Sequence, residues 1–167
     1  MPPSSDQDKR QLGHTPAVGA ATTFDLVVAV DWVSPSIARD KVRSWLRAHR
    51  WSPSHVDDLV LAINEAVSNS IEHGYGQKPS GRPSTVEERT AIEVHGRLVT
   101  EADGSRWIEF TVRDKGSWLR PTAGDGNRGN GIRIMRACVE EVDIDSRRDG
   151  TTVVLRSRPM PPPLDVS

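Results

Sequence analysis

Apolar residues in the first half of the chain recur with the period of an α-helix. The longer stripe lies between Ser52, which can cap a helix, and Gly74, which can end one; it consists of Val56, Leu59, Val60, Ile63, Val67 and Ile71. A shorter stripe runs from a second cap at Ser34 to about His49, and consists of Ile37, Val42, Trp45 and Leu46. A proline follows each cap, where a helix tolerates it. The pattern therefore predicts two successive amphipathic helices.

Apolar and polar residues alternate in other segments, as they do in half-buried β-strands. The predicted strands are 24–31, 91–99, 107–113, 142–148 and 151–158. Asp103-Gly104 and Asp149-Gly150 supply hairpin turns within the later strands. A third helix is predicted over 132–142. Helices cluster early and antiparallel strands pair late, an order that favours an α+β two-layer sandwich.

The composition changes along the chain and predicts where the folded domain lies. Residues 1–22 are rich in Pro, Ser, Gly and charge, which is typical of disorder, and 159–167 form a proline-dense tail. The folded domain is therefore expected over 23–158. Within it, the polar segment 75–90 has no periodicity, so it is either a disordered insertion or a functional loop.

The overall charge and the cysteine content exclude several classes of protein. The chain has 167 residues, with 22 basic and 23 acidic side chains and a formal charge of -1, so no global field favours nucleic acid or a membrane surface. The single cysteine, Cys138, excludes an internal disulfide. The start has no apolar stretch of a signal peptide, and no run approaches the roughly 20 apolar residues of a membrane helix. These features predict a cytoplasmic protein without direct nucleic-acid or membrane partners.

A polar line on the second helix is the first candidate for chemistry. Glu65, Asn69 and His73 are spaced four residues apart, on the side of the helix away from the apolar stripe. Ala62 and Ala66 adjoin this line, as small residues on the floor of a cleft would. A solvated helix face is the simpler interpretation. Otherwise Glu65 can serve as a general base and Asn69 as an oxygen ligand of Mg²⁺ with phosphates, while His73 favours the negative end of the helix dipole.

Two glycine-containing segments are further candidates. Asp114 and Gly116 directly follow a strand, where a carboxylate can accept from an exocyclic amine and a glycine can admit a flat ring. The stretch from Gly124 to Gly131 precedes the third helix, so its amides can meet phosphates. It matches neither the Rossmann nor the P-loop pattern. Taken singly, each segment is better explained as an ordinary turn or loop.

Together these segments resemble a known superfamily. "EAVSNSIEHGY", "VRDKGSW", "RGNGIRIMRACVEEVDI" and "GTTVVL" occur in the order of the four motifs of the Bergerat-type (GHKL) ATP-binding fold of histidine kinases and gyrase. Within it, the chain looks most like the RsbW-like anti-sigma-factor serine/threonine kinases of bacteria, over roughly 24–156. The resemblance implies a two-layer sandwich with a mixed, mostly antiparallel sheet and helices on one face.

The resemblance also implies the role of each motif residue. Glu65 corresponds to the general base toward the accepting serine, and Asn69 to the ligand of the Mg²⁺ that bridges the phosphates of ATP. Asp114 corresponds to the residue that contacts the adenine amine, and Gly116 gives the base room. Thr151 matches the threonine that completes the adenine contacts.

The remaining implied contacts lie at the phosphates. Gly129 and Gly131 correspond to positions where the lid meets the phosphates, and Arg128 adds positive charge there. Two departures from the family pattern concern partner docking and catalytic competence. The loop 77–90 is longer and more polar than expected, and Arg133 stands where relatives carry a small or apolar residue.

The function implied by the resemblance is partner switching in a stress response. Such a protein phosphorylates a small anti-anti-sigma (STAS-type) protein with ATP and Mg²⁺, and otherwise sequesters a sigma factor; a homodimer is also expected. The alternative is an ATP-binding regulatory module that inhibits its partner without kinase activity. The catalytic domain of a histidine kinase is disfavoured, because no helical hairpin with an acceptor histidine precedes residue 24.

Overall fold

The computed structural model describes residues 22–75, 91–116 and 128–163. In chain order its elements are β1 (Thr22–Ala29), α1 (Ser34–Ala48), α2 (Pro53–Tyr75), β2 (Ala91–Thr100), β3 (Arg106–Asp114), α3 (Arg128–Cys138), β4 (Glu141–Arg147) and β5 (Gly150–Arg156). The predicted order of elements is confirmed. The predictions for residues 1–21, for the loop 77–90 and for the glycine-rich stretch 117–127 lie outside the described residues.

The five strands form one sheet in the order β1-β2-β3-β5-β4. Each of the described strand pairs is antiparallel. Alternate residues of β2, β3 and β5 are buried on one face, where α1 and α2 pack; they include Ile92, Val94, Leu98, Ile108, Phe110, Val112, Val153 and Leu155. The opposite face is more exposed, which is the alternation expected of a sheet covered on one side. The predicted α+β sandwich is confirmed.

Helix α2 is the central helix of the molecule, and its apolar stripe is the core that the sequence pattern predicts. All six residues of the stripe are buried, with at most 5% exposure. The Ser52 carbonyl accepts from the Val56 N–H at 2.9 Å, while the Ser52 hydroxyl pairs with Nδ1 of His55 at 2.7 Å. The helix continues to Tyr75, one residue beyond the predicted stop at Gly74.

Three of the predicted helix boundaries are wrong. The N-cap of α1 is Val33, because the Ser34 hydroxyl donates to the carbonyl of Ala29 at 2.6 Å and so ties the helix to β1 instead of capping it. The third helix begins at Arg128 and not at 132, and it ends at Cys138 and not near 142. Glu141 already pairs with Arg156 of β5, so sheet pairing replaces the helix that the local sequence favours.

The end of α1 is closed by a Schellman motif with an arginine in the left-handed position. The N–H of Trp51 donates to the Leu46 carbonyl and the N–H of Arg50 donates to that of Arg47, both at 3.0 Å, and Arg50 has a φ of 54°. Leu46 and Trp51 are both buried, as the hydrophobic contact of this motif requires. The motif turns the chain sharply into α2.

Arg106 at the start of β3 connects the α1–α2 turn to the sheet. Its Nη1 donates to the His49 carbonyl at 2.9 Å and its Nη2 to the Arg50 carbonyl at 3.3 Å, and its guanidinium lies 5.2 Å from the centroid of the Trp51 ring. Burial lowers the pKa of Arg106 from its ordinary value. The backbone of Arg106 also exchanges two hydrogen bonds with Met160, which brings the segment after β5 to the same place.

Replacing Arg106 with methionine is expected to reduce the free energy of unfolding by about 2 kcal/mol, because two carbonyls at the end of α1 lose a charged donor. Urea denaturation followed by tryptophan fluorescence measures this loss. Arg97→Met is the matched control, since Arg97 is 45% exposed and pairs with Glu109 on the open face of the sheet. Arg97→Met is expected to reduce the free energy of unfolding by less than about 1 kcal/mol. Equal losses in both variants would contradict a buried anchoring role for Arg106.

Candidate functional site

The polar line of α2 lies directly against the first turn of α3. Glu65 and Asn69 are partly exposed, and Gly131 of α3 is buried beside them. A Cβ atom built on Gly131 would lie 3.0 Å from Oδ1 of Asn69 and 3.2 Å from Oε2 of Glu65. Because these separations are tighter than ordinary side-chain contacts, glycine lets α3 approach both polar groups closely. Three residues that the sequence analysis selected are thus brought together.

The start of α3 gives this cluster an electrostatic character. The N–H groups of the first turn of a helix have no acceptor within the helix, and the helix dipole makes that end positive. Helix α3 begins at Arg128. The backbone N–H groups that lack an acceptor within α3 therefore belong to the turn that contains Gly131. A carboxylate, a carboxamide oxygen and a helix N-terminus therefore meet in one place. Such a set can accept a proton, contribute a ligand to a hard cation and attract an anion.

A second cluster lies at the end of β3, around a buried carboxylate. Asp114 is the last residue of β3 and is 5% exposed, and its Oδ1 accepts from the N–H of Gly116 at 2.9 Å. Thr151 of β5 is its partner in the strand register and is 8% exposed. Both side chains belong to the buried, helix-facing set of positions. The predicted residues Asp114, Gly116 and Thr151 are thus close together.

Gly150 lies against the backbone of Asp114 and was predicted only as a turn residue. Its φ is 152°, and a Cβ atom there would collide with the carbonyl oxygen of Asp114. The backbone of the β4–β5 turn therefore presses against the end of β3. A hairpin dipeptide in the sequence indicates the turn, but not the strand that the turn touches.

Ala62 and Ala66 do not form the floor of an open cleft. Both are completely buried, since α2 packs against α1 and α3 as well as against the sheet. Their small size serves close packing of helices in the core. The candidate site is instead bounded by α3, which lies against Glu65 and Asn69 at Gly131.

Gly129 and Arg133, the remaining predicted positions whose surroundings the structure describes, are exposed and belong to neither cluster. Among the described residues, no atom lies within 4 Å of a Cβ built on Gly129. Arg128 starts α3, but its side chain lies outside the described part of the structure, as does that of His73. Arg133 is exposed on α3.

A hydrogen-bonded group beside Glu65 was missed by the sequence analysis. Nδ2 of Asn64 donates to Oε1 of Glu65 at 3.2 Å, and Nη1 of Arg39 donates to Oδ1 of Asn64 at 3.1 Å. Nη2 of Arg39 donates to the hydroxyl of Ser36 at 2.9 Å. No periodic pattern marks Asn64, and Arg39 belongs to a different helix, so only the packing of α1 on α2 reveals the group.

A cavity of about 500 Å³ adjoins the second cluster from the open face of the sheet. The described part of its lining is mostly charged and includes Arg113, Asp114, Lys115, Asp145, Arg147, Asp149, Gly150 and Thr152. Neither Glu65 nor Asn69 is part of this lining, so it is separate from the α2–α3 cluster.

Within the described ranges, no group of three or more His, Cys, Asp or Glu side chains could hold a metal ion. A divalent cation at Asn69 would therefore need most of its ligands from water and from a bound anion, which is the usual way in which Mg²⁺ binds. The same part of the chain contains no helix that is long and apolar enough to cross a membrane.

Comparison with known proteins decides the family. The model of the histidine kinase-like ATPase domain matches residues 33–157. The anti-sigma F factor of Anoxybacillus flavithermus is 33% identical over 122 residues, which cover 72% of this chain and 81% of that protein. The chain belongs to the histidine kinase-like ATPase family. The RsbW-like assignment made from the four motifs is thereby confirmed.

A further relative and a solved structure extend the comparison. The anti-sigma F factor of Clostridium beijerinckii is 26% identical over 140 residues, covering 80% of this chain and 95% of that protein. The crystal structure of the RsbU and RsbW domains of a Mycobacterium tuberculosis protein matches with a TM-score of 0.58 and 23% identity, over 84% of this chain. This chain spans 34% of that larger structure, and the likeness confirms the fold.

Proposed function

We propose that this histidine kinase-like ATPase is an ATP-dependent protein-serine kinase and an anti-sigma factor. The observation that carries the proposal is the close approach of the α3 backbone at Gly131 to the side chains of Glu65 and Asn69. It joins a base, an oxygen ligand and a helix N-terminus, which are the groups that phosphoryl transfer requires. The name "anti-sigma F factor" of the relatives supports the regulatory half of the proposal.

Each residue of the α2–α3 cluster has a role in the proposed transfer. Glu65 takes the proton of the acceptor serine while the serine oxygen forms a bond to the γ-phosphorus, the bond from that phosphorus to the β,γ-bridging oxygen breaks, and ADP leaves. Asn69 would hold a Mg²⁺ ion, which would supply neutralisation of charge on the phosphates. Gly129, Gly131 and Arg128 belong to the helix start that faces the phosphates.

The β3 cluster is the proposed site of the adenine ring. The buried Asp114 carboxylate accepts a hydrogen bond from the exocyclic amine, and its contact with the Gly116 N–H orients it for this. Gly116 leaves space for the ring, and Thr151 adds a hydroxyl from the neighbouring strand. A buried carboxylate that accepts from an uncharged amine discriminates against a ring that presents a carbonyl at the same place.

The proposed partners follow from the relatives. Anti-sigma F factors are named for a sigma factor, and we assign a sigma factor to this chain as its inhibited partner. A STAS-type anti-anti-sigma protein is the proposed phosphoacceptor, and phosphorylation would release it and leave the kinase free to bind the sigma factor. A homodimer in the cytoplasm is part of the same proposal.

Calorimetric titration with ATP, with and without Mg²⁺, tests the nucleotide site. Wild type is expected to bind ATP more tightly with Mg²⁺ than without it. Asn69→Ala is expected to weaken binding of MgATP on the order of tenfold, or about 1.4 kcal/mol, and to remove most of the dependence on Mg²⁺, because the cation would lose its proposed ligand from α2.

Ser68→Ala, one residue earlier on the same helix, is the control and is expected to bind like wild type. Absence of binding by folded wild-type protein at millimolar ATP would overturn the proposed site. Equal affinity of Asn69→Ala and wild type at every Mg²⁺ concentration would remove the assigned role of Asn69 but not that of Asp114.

A further inference from the structure

A chain of hydrogen bonds connects α1 to the carboxylate of Glu65. It runs from the Ser36 hydroxyl through Arg39 and Asn64 to Oε1 of Glu65, with donor–acceptor distances of 2.9, 3.1 and 3.2 Å. The hydrogen bonds of Arg39 and Asn64 lie in partly buried surroundings, so water competes less for them than at an open surface. None of the four motifs that define the family resemblance assigns a role to Ser36, Arg39 or Asn64.

The chemistry of Arg39 determines which way the Asn64 carboxamide faces. A guanidinium group has only donors, so the group of Asn64 nearest Arg39 has to be the carbonyl oxygen. The amide N–H₂ of Asn64 is then directed at Glu65. An ionised carboxylate only accepts hydrogen bonds, so this orientation suits the form of Glu65 that can act as a base.

The two carboxylate oxygens of Glu65 consequently have different surroundings. Oε1 accepts the hydrogen bond of Asn64, whereas Oε2 lies on the side of Gly131, 3.2 Å from the site where a Cβ would be built. Oε2 therefore faces the helix start at which the phosphates are proposed to bind.

We propose that Arg39 and Asn64 are positioning residues that hold Oε1 of Glu65 and so present Oε2 as the oxygen that takes the proton. The inference rests on the proposed kinase function and adds to it a means of aiming the base. A glutamate side chain on a helix can rotate about three bonds, and a misplaced base loses much of its contribution. The hydrogen bond from Asn64 restricts that rotation from outside the motif residues.

Asn64→Asp is the most informative variant, because it keeps the size of the side chain and an oxygen for Arg39. It replaces the N–H₂ donor with a second carboxylate oxygen, which repels Oε1 of Glu65. The assay measures single-turnover transfer from radiolabelled MgATP to a STAS-type protein that wild type phosphorylates. The rate of transfer is expected to fall about 30-fold, which is less than the loss expected when the base itself is removed. The affinity for MgATP is expected to stay within about twofold of wild type, since Glu65 does not hold the nucleotide.

Variants of α1 separate positioning from general damage to the fold. Arg39→Ala is expected to slow transfer about tenfold and Arg39→Lys less, because lysine keeps one donor for Asn64. Arg43→Ala is the matched control: Arg43 lies one turn later on α1 and pairs only with the exposed Asp40, at 3.7 Å, in the described structure. It is expected to leave the rate within about twofold of wild type.

A second measurement tests the hydrogen bonds without any catalysis. In ¹⁵N-labelled protein, the side-chain amide signals of Asn64 are expected to shift on Glu65→Gln and on Arg39→Ala, and to stay in place on Arg43→Ala. Asn64 amide signals that do not shift on Glu65→Gln and Arg39→Ala would overturn the inference. A wild-type rate of phosphoryl transfer in Asn64→Asp would also overturn it. If wild type transfers no phosphate at all, the proposed function fails, and the amide signals still decide whether the chain of hydrogen bonds exists.

Discussion

Glu65→Gln is expected to lower the rate of phosphoryl transfer by about 100- to 10,000-fold, the usual range for removal of a general base. The amide keeps the shape of the carboxylate and an oxygen that can accept from Asn64, but it cannot take a proton from the acceptor serine. The affinity for MgATP is expected to change less than about threefold, because Asn69 and Asp114 remain. Transfer of radiolabelled phosphate to a STAS-type protein, with calorimetry alongside, measures both quantities.

Glu72→Gln is the matched control, since Glu72 is exposed on the same helix and is expected to leave the rate unchanged. If Glu65→Gln loses transfer but still inhibits the sigma factor, catalysis and sequestration are separate properties of this chain. If wild type binds MgATP and its partner but transfers no more phosphate than Glu65→Gln, the chain is a nucleotide-binding inhibitor without kinase activity.

Gly150→Ala is expected to destabilise the protein by about 3 kcal/mol, at the upper end of the range for overpacking. The new methyl group would collide with the carbonyl oxygen of Asp114, and the φ of 152° is one that residues with a side chain rarely adopt. Because the backbone of Asp114 has to move, the affinity for ATP is expected to fall as well. Chemical denaturation and calorimetry measure the two effects.

Gly129→Ala is the control for the loss of a glycine. No atom of the described residues lies within 4 Å of a Cβ at Gly129, and the residue is helical, so alanine is expected to be neutral or to stabilise by up to about 1 kcal/mol. An unfolding midpoint for Gly150→Ala equal to that of wild type would mean that the turn can shift without cost, and would remove Gly150 from the determinants of the adenine site.

The fold was largely predictable because its main elements follow local rules. The apolar stripe of α2 has a helical period over most of its length. Buried positions alternate with more exposed ones along most of β2 and β3, which an Asp-Gly turn joins. Buried and exposed positions repeat with fixed periods in such elements, so the pattern alone identifies them. The predictions failed where a partner from elsewhere in the chain intervened: the Ser34 hydroxyl binds the carbonyl of Ala29, and β5 pairs with the segment after Cys138.

The candidate site was predictable in part, for the same reason. The sequence placed Glu65 and Asn69 on one side of a helix, and the motif order brought Asp114, Gly131 and Thr151 into consideration. It could not indicate that Ala62 and Ala66 are fully buried, since their surroundings depend on how α1 and α3 pack on α2.

The sequence by itself determined the elements, the α+β class and the residues that carry the family motifs, because these depend on spacing along the chain. Only the tertiary structure decided which of those residues touch. Gly131 meets Asn69 and Glu65 across two helices, and Arg39 reaches Asn64 over a separation of 25 residues. Contacts between elements depend on the angles and distances at which they pack, and short-range periodicity in one sequence does not contain that information.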